Sequence, residues 1–260
     1  MNNLTINSFE TATNNHVNRY LVLADSALIM AQRLSEWCGH APILEQDIAV
    51  SNIALDYIGQ ARNWYQFIAN TLNKQENTQE FTEDTLAYLR DVTDYKNLLL
   101  TELPNNNWAD TILRIFLFSN FQSCLLHQLQ KSNDATVAAI AEKSLKETSY
   151  HVEWSSDWVI RLGDGTDESK QKMEEAILMV WNYVGEFFEP TLHSWLATNE
   201  IIIEQQWQQK TQMVFEEATL VVPQNKWMHS GGIYGNHTEH LGFILAEMQF
   251  LQRAYPNSKW

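Results

Sequence analysis

The chain has 260 residues, 45% of them hydrophobic and 12% aromatic with ten tryptophans, so it holds enough apolar material for a sizeable core and is not a disordered polymer. Its 17 Lys and Arg stand against 32 Asp and Glu, and the net charge of -15 repels nucleic-acid phosphates and anionic lipid, leaving room only for a local basic pocket. The polar opening MNNLTINSFETATNN has no basic n-region or apolar h-region, and no apolar run approaches the roughly 20 residues of a spanning helix, so a soluble cytoplasmic protein is expected.

In chain order, residues 1–16 read as a flexible N-terminal segment and 17–260 as a single helical domain. Helical periodicity marks segments near 17–37, 43–73, 81–100, 108–131, 134–162, 168–198 (bent near Gly185 and Pro190), 200–219 and 237–254. Gly and Pro act as punctuation: Gly39 and Pro42, Pro104, Gly163 and Gly165, Pro190, and the Gly231, Gly232, Gly235 group. NNNWADT and SNDAT supply N-cap residues for two of the helices. IIIEQQW and ATLVVP tolerate strand, yet no hairpin dipeptide separates alternating runs, and one all-α domain is the fold class. The first turn, LSEWCGHAPILEQDI, ends a helix at Trp37–Cys38, turns through Gly39–Pro42 and starts the next helix with Glu45 and Asp47 at its positive end. Its cysteine and histidine are too close in sequence to imply a nucleophile and its base. Cys38 and Cys124 show no metal spacing and read as two buried thiols.

The segment 43–73 carries three stripes. Val50, Ile53, Tyr57, Trp64 and Ile68 form one apolar line, and Leu44, Ile48, Leu55 and Ile58 a second, which predicts burial on more than one side inside a bundle. Glu45, Ala49, Asn52, Asp56, Gly59 and Asn63 form a third, small or polar. In a ferritin-like bundle, inward carboxylates on such a line hold two metal ions, with a Glu from each of two helices and Glu-x-x-His from each of the other two.

That pattern can be tested on all eight histidines. The residues three positions before them are Thr13, Trp37, Cys124, Thr148, Pro190, Lys226, Tyr234 and His237, none of them acidic. Asp56–Gly59 keeps the acid and has glycine where imidazole belongs, and KETSYHVEW offers Glu147 with Tyr150 or Thr148 with His151. A mononuclear site can be drawn from His237, Glu239, His240 and Glu247, but these residues open a helix after a Gly-rich loop, where a structural or interface role is the simpler reading. No nucleophile elbow, Walker loop or dinucleotide fingerprint occurs. Trp154 and Trp158, one turn apart, read as core.

ALIMAQRLSEWCGHAPILEQDIAVSNIALDYIGQAR, KETSYHVEWSSDWVIRLGDGT and GGIYGNHTEHLGFILAEMQFLQRAYP resemble signature blocks of the PaaC family, the non-catalytic structural subunits of bacterial phenylacetyl-CoA oxygenase (1,2-epoxidase). The resemblance implies a ferritin-like helical bundle with additional C-terminal helices that has lost its di-iron ligands, so that no catalytic, cofactor-binding or metal-binding residue is assigned to this chain. It also implies a catalytic partner, PaaA, which keeps the di-iron centre, a small subunit, PaaB, and a reductase, PaaE, carrying FAD and a 2Fe-2S cluster and drawing electrons from NADPH. The implied reaction places one oxygen atom of O2 on the aromatic ring of phenylacetyl-CoA, within aerobic phenylacetate degradation.

For the vacated centre, the expectation is a polar network of Asn52, Asp56, Glu147 and His151, paired with cations such as Arg33, Arg62 or Lys146, because an unpaired buried charge is costly. Two alternatives stand beside it: a di-metal enzyme with an atypical set such as Glu36, Asp56, His151 and His240, and a helical binding module for another partner.

Overall fold

The computed structural model describes residues 15–74, 80–225, 227–256 and 258. Up to residue 14, the N-terminal segment expected over 1–16 lies outside them. The longer helices are α1 (Asn15–Ser35), α2 (Leu44–Asn73), α4 (Trp108–Leu129) and α5 (Ala135–Gly163). They form the bundle, α1 packing along α2 and α4 along α5, with α2 and α5 also in contact. Short turns close each hairpin pair, and the 74–107 crossover joins the pairs, the connectivity of ferritin-like folds. Around this lie α3 (Glu83–Tyr88), α6 (Asp167–Val180), α7 (Pro190–Leu196), α8 (Glu200–Glu217), α9 (Glu239–Met248) and α10 (Phe250–Ala254). Among the described residues there is no strand, and no helix is long and apolar enough to cross a membrane.

α4 explains the architecture. Its sequence WADTILRIFLFSNFQSCLLHQL is buried on nearly all sides, because α5, α6 and α8 all pack on it. Its polar groups therefore need partners, and Asn120 donates to the Trp207 carbonyl and Thr211 Oγ1, both at 3.1 Å, while Trp207 Nε1 donates to the Leu117 carbonyl at 3.0 Å. Asn107 and Asp134 cap α4 and α5 as their sequences predict. The α1–α2 turn follows the expected course: Gly39 takes φ +81°, and its N–H is held by Asp47 Oδ1 at 2.8 Å. Trp154 and Trp158 pack edge-on against Trp108, which in turn meets Trp37, a half-buried cluster at one end of the bundle.

Three expectations need correction. The segment 81–100 is helical only over Glu83–Tyr88, followed by 3-10 turns at Val92–Asp94 and Leu99–Glu102. Tertiary acceptors take the N–H groups that a helix would have used: Lys96 N–H goes to Asp25 Oδ2 (2.8 Å), Leu98 N–H to Ser26 Oγ (3.0 Å) and Leu99 N–H to Glu186 Oε2 (2.7 Å). Cys38 is exposed in the turn after α1, while Cys124 is buried, and burial pushes its thiol up to about 11. The Leu44, Ile48, Leu55, Ile58 line is also exposed, so only one apolar face of α2 enters this chain's own core.

Candidate functional site

At the bundle centre, α2 contributes Asp56, Tyr57 and Gln60, α4 contributes Gln122, and α5 contributes Glu147, Thr148 and His151. Positions four apart on a helix share a face, which sets Asp56 above Gln60 and Glu147 above His151. A relay of side-chain hydrogen bonds crosses the bundle. Thr148 Oγ1 donates to Gln122 Oε1 (3.2 Å), Gln122 Nε2 to Gln60 Oε1 (2.9 Å), and Gln60 Nε2 to Glu147 Oε2 (3.0 Å). Beside it, His151 Nε2 lies 2.9 Å from Asp56 Oδ2; the imidazole is fully buried and the carboxylate is 36% exposed. The Tyr57 ring sits 4.8 Å from that of His151. Burial, reinforced by the Asp56 charge, pushes the Tyr57 phenol above its usual range, so it stays neutral. Tyr57 OH, His151 Nδ1 and Ser144 Oγ find no partner among the described residues.

The structure thus brings together Asp56 with His151, and Glu147 with Gln60. Asn52 is exposed and stands outside these hydrogen bonds. The expected cations lie elsewhere: Arg33 donates to the Glu102 carbonyl and to Glu36, Arg62 reaches Glu83, and Lys146 reaches Glu142. Amides replace them for a physical reason. Gln60 and Gln122 each donate and accept, so they link several groups across the interior without adding a charge to desolvate. The histidine and carboxylate spacings point to neither glutamine, though the polar residues Ser119, Asn120 and Gln122 inside the otherwise apolar FLFSNFQSCLL are a readable signal.

These residues do not fit a di-metal centre. The facing helices offer two neutral amides, a hydroxyl, one imidazole and two carboxylates, Asp56 and Glu147, each already engaged in a hydrogen bond, fewer anionic oxygens than the four carboxylates that balance two metal ions. Among the described residues, no group of three His, Cys, Asp or Glu side chains is placed to hold a metal ion. Of the atypical set, Glu36 is instead engaged by Arg33 (2.8 Å) and Asn105 (2.8 Å).

His237 belongs to a different arrangement. Its Nε2 donates to the Tyr95 carbonyl (2.8 Å) and its Nδ1 lies 2.6 Å from Glu102 Oε1; the other oxygen of Glu102 accepts from the Thr238 N–H (2.8 Å) and hydroxyl (2.5 Å). Asn97 Nδ2 completes the ring at 2.9 Å from Glu102 Oε1. Glu186 holds the neighbouring stretch in the same way, accepting from Gly231 N (3.0 Å), Ile233 N (3.3 Å) and Leu99 N (2.7 Å). Gly232 lies so close to the Asn97 carbonyl that a Cβ would collide with it, which explains the glycine. The two buried glutamates therefore pin the GGIYGNHT loop onto the crossover. Glu239 opens α9, where Thr238 caps the His240 N–H; Glu239 and Glu247 are exposed and His240 is half-buried.

Replacing Gln122 by leucine leaves Gln60 Oε1 and the Thr148 hydroxyl unpaired in the interior, with an expected cost of about 1–3 kcal/mol for each group. Urea denaturation reads this as a lower midpoint at unchanged slope. A midpoint equal to that of the unaltered chain would show the relay to be energetically idle.

Fold and centre together define a ferritin-like bundle whose interior is closed by side-chain amides. The chain belongs to the phenylacetic acid catabolic protein family, whose profile matches residues 5–260. It is 44% identical over 246 residues, 92% of this chain and 97% of the relative, to a subunit of the 1,2-phenylacetyl-CoA epoxidase of Escherichia coli (strain K12).

Proposed function

We infer that this chain is a structural, non-catalytic subunit of a multicomponent di-iron oxygenase that epoxidises the aromatic ring of phenylacetyl-CoA in phenylacetate degradation. The observation that carries this reading is the Thr148–Gln122–Gln60–Glu147 relay, which crosses the centre through two side-chain amides. The resemblance to an epoxidase subunit supplies the reaction. In this reading the iron belongs to the catalytic subunit PaaA, the electrons arrive from NADPH through FAD and the 2Fe-2S cluster of PaaE, and PaaB completes a cytoplasmic complex. The work of this chain is then mechanical: a rigid bundle, locked by hydrogen bonds rather than metal, stiffens the catalytic subunit and shapes the cleft beside it.

The test is metal content. The chain purified alone is expected to carry only trace iron and zinc, and the complex re-isolated with PaaA to carry iron in proportion to PaaA. Near-stoichiometric iron in the lone chain, lost in a His151→Ala variant, would make this chain a metalloprotein and overturn the reading.

A further inference from the structure

A net charge of -15 leaves room for a local basic pocket, and the fold builds one. A pocket of about 600 Å³ opens at one end of the bundle, where the start of α1, the α4–α5 turn and the α7–α8 turn meet. Small-molecule sites have volumes of this order. Arg19 enters it from α1, and His127, Lys131, Ser132 and Asp134 enter it from the end of α4 and the turn that follows.

Its two cations come from distant parts of the chain. Arg19 is braced: Nη1 donates to the Trp195 carbonyl at 3.2 Å, and the guanidinium lies 4.7 Å over the ring of the buried Tyr20. Neither contact neutralises its charge. Lys131 stands exposed in the turn and adds a second positive charge. Asp134 is the acid among the described lining residues, and it serves the positive end of α5. Its Oδ1 accepts the N–H groups of Thr136 (2.8 Å) and Val137 (3.3 Å).

Two neutral donors stand beside the cations. Gln130 Nε2 lies 3.2 Å from His127 Nδ1, and an amide NH2 only donates, so the neutral ring carries its proton on Nε2. Ser132 Oγ accepts the Asp134 N–H at 3.2 Å, which leaves its hydroxyl hydrogen to donate. A single carboxylate would balance one of the two cations. A phosphate group carries enough charge for both, and its oxygens accept from several donors at once.

We propose that this pocket binds a small phosphate-bearing anion, with Arg19 and Lys131 meeting its charge and His127 and Ser132 donating to its oxygens. The proposal goes beyond the subunit reading and does not depend on it.

The experiment is a calorimetric titration of the purified chain with inorganic pyrophosphate and with ADP at low ionic strength. Saturable binding is expected, with a Kd on the order of 0.1–1 mM that weakens as salt is added. Arg19→Gln and Lys131→Gln are each expected to weaken it about 5- to 20-fold, and the double variant to abolish it. Lys172→Gln, at an exposed lysine on α6 outside the pocket, should leave affinity unchanged. The Lys131 side chain faces solvent, so that variant should keep the thermal midpoint of the unaltered chain. If Arg19→Gln lowers the midpoint by losing its Trp195 contact, Lys131→Gln alone decides. ADP binding at least about tenfold tighter than pyrophosphate upholds the proposal and makes the ligand a nucleotide; equal binding upholds it with phosphate alone as the recognised group. No saturation by either probe overturns the proposal. So does binding that Lys131→Gln leaves intact, or that Lys172→Gln weakens as much.

Discussion

Replacing Arg90 by methionine is expected to destabilise the chain by about 3–5 kcal/mol, the cost of leaving one half of a buried ion pair uncompensated. Arg90 and Asp25 have side chains 3% and 0% exposed. The guanidinium grips the carboxylate with two nitrogens, donates through Nε to the Leu86 carbonyl (2.5 Å), and lies 4.2 Å over the Tyr95 ring. Burial alone would lower the guanidinium's proton affinity, but the Asp25 charge and the surrounding tyrosines reverse this, and Arg90 is held above its ordinary range. Asp25 also accepts from Tyr65 OH (2.6 Å) and the Lys96 N–H (2.8 Å), so one carboxylate on α1 ties α2 and the crossover together. Methionine keeps much of the length and none of the charge. The double variant Asp25→Leu, Arg90→Met is expected to recover part of the loss, because no charge then stays buried. It should fall short of full recovery, since Tyr65 OH and the Lys96 N–H lose their acceptor. Equilibrium denaturation of the four species gives the coupling directly. Additive single-variant losses would show that the pair does not act as a unit.

Glu186→Ala is the second large effect. It strands the N–H groups of Leu99, Gly231 and Ile233 in the interior, and a loss of about 3 kcal/mol or more follows at 1–3 kcal/mol per unpaired group. Glu186→Gln should lose less, because its amide oxygen still accepts on one side while its NH2 faces a donor on the other. The pH dependence has a definite sign. Burial raises the Glu186 carboxyl above its ordinary value of 4.5, and the N–H donors only partly offset this. The folded chain therefore binds that proton more tightly than the unfolded chain does. The corresponding stability is fully present below about 4.5 and is lost as pH rises through the folded value. Denaturation midpoints of the unaltered chain and of Glu186→Gln, compared from pH 4 to 7, should show the gap between them narrowing as pH rises. A gap that is flat or that widens would contradict the assignment. Since Glu186 and Glu102 pin the same loop, its hydrogen exchange should speed up in either variant before that of α4 does.

Local signals locate most of the helices because their causes are local. The Asn107 and Asp134 caps, Gly39 at positive φ and Pro190 at a helix start each act within one turn of chain, and the structure places helix ends at or beside them. The missing acid-x-x-His pairs are equally legible, since that motif is a spacing on a single helix. Periodicity misleads where the competing partner is distant in sequence. Residues 89–100 carry a helical pattern, but Asp25, Ser26 and Glu186 take their N–H groups, and those acceptors arrive from α1 and from beyond α6.

An all-α bundle, its main breaks, and a centre without the spacing that holds two metals all follow from the order of residues, because each rests on periodicity and composition within one segment. Which groups meet at that centre depends on segments brought together from far along the chain. Packing selected Gln60 and Gln122 over Arg33, Arg62 and Lys146, paired His151 with Asp56, and turned Asn52 outward. It also left one apolar line of α2 uncovered. A helical period states that a face is apolar and leaves open which neighbour buries it; that depends on how helices pack around α4, and among the described residues the line from Leu44 to Ile58 stays exposed.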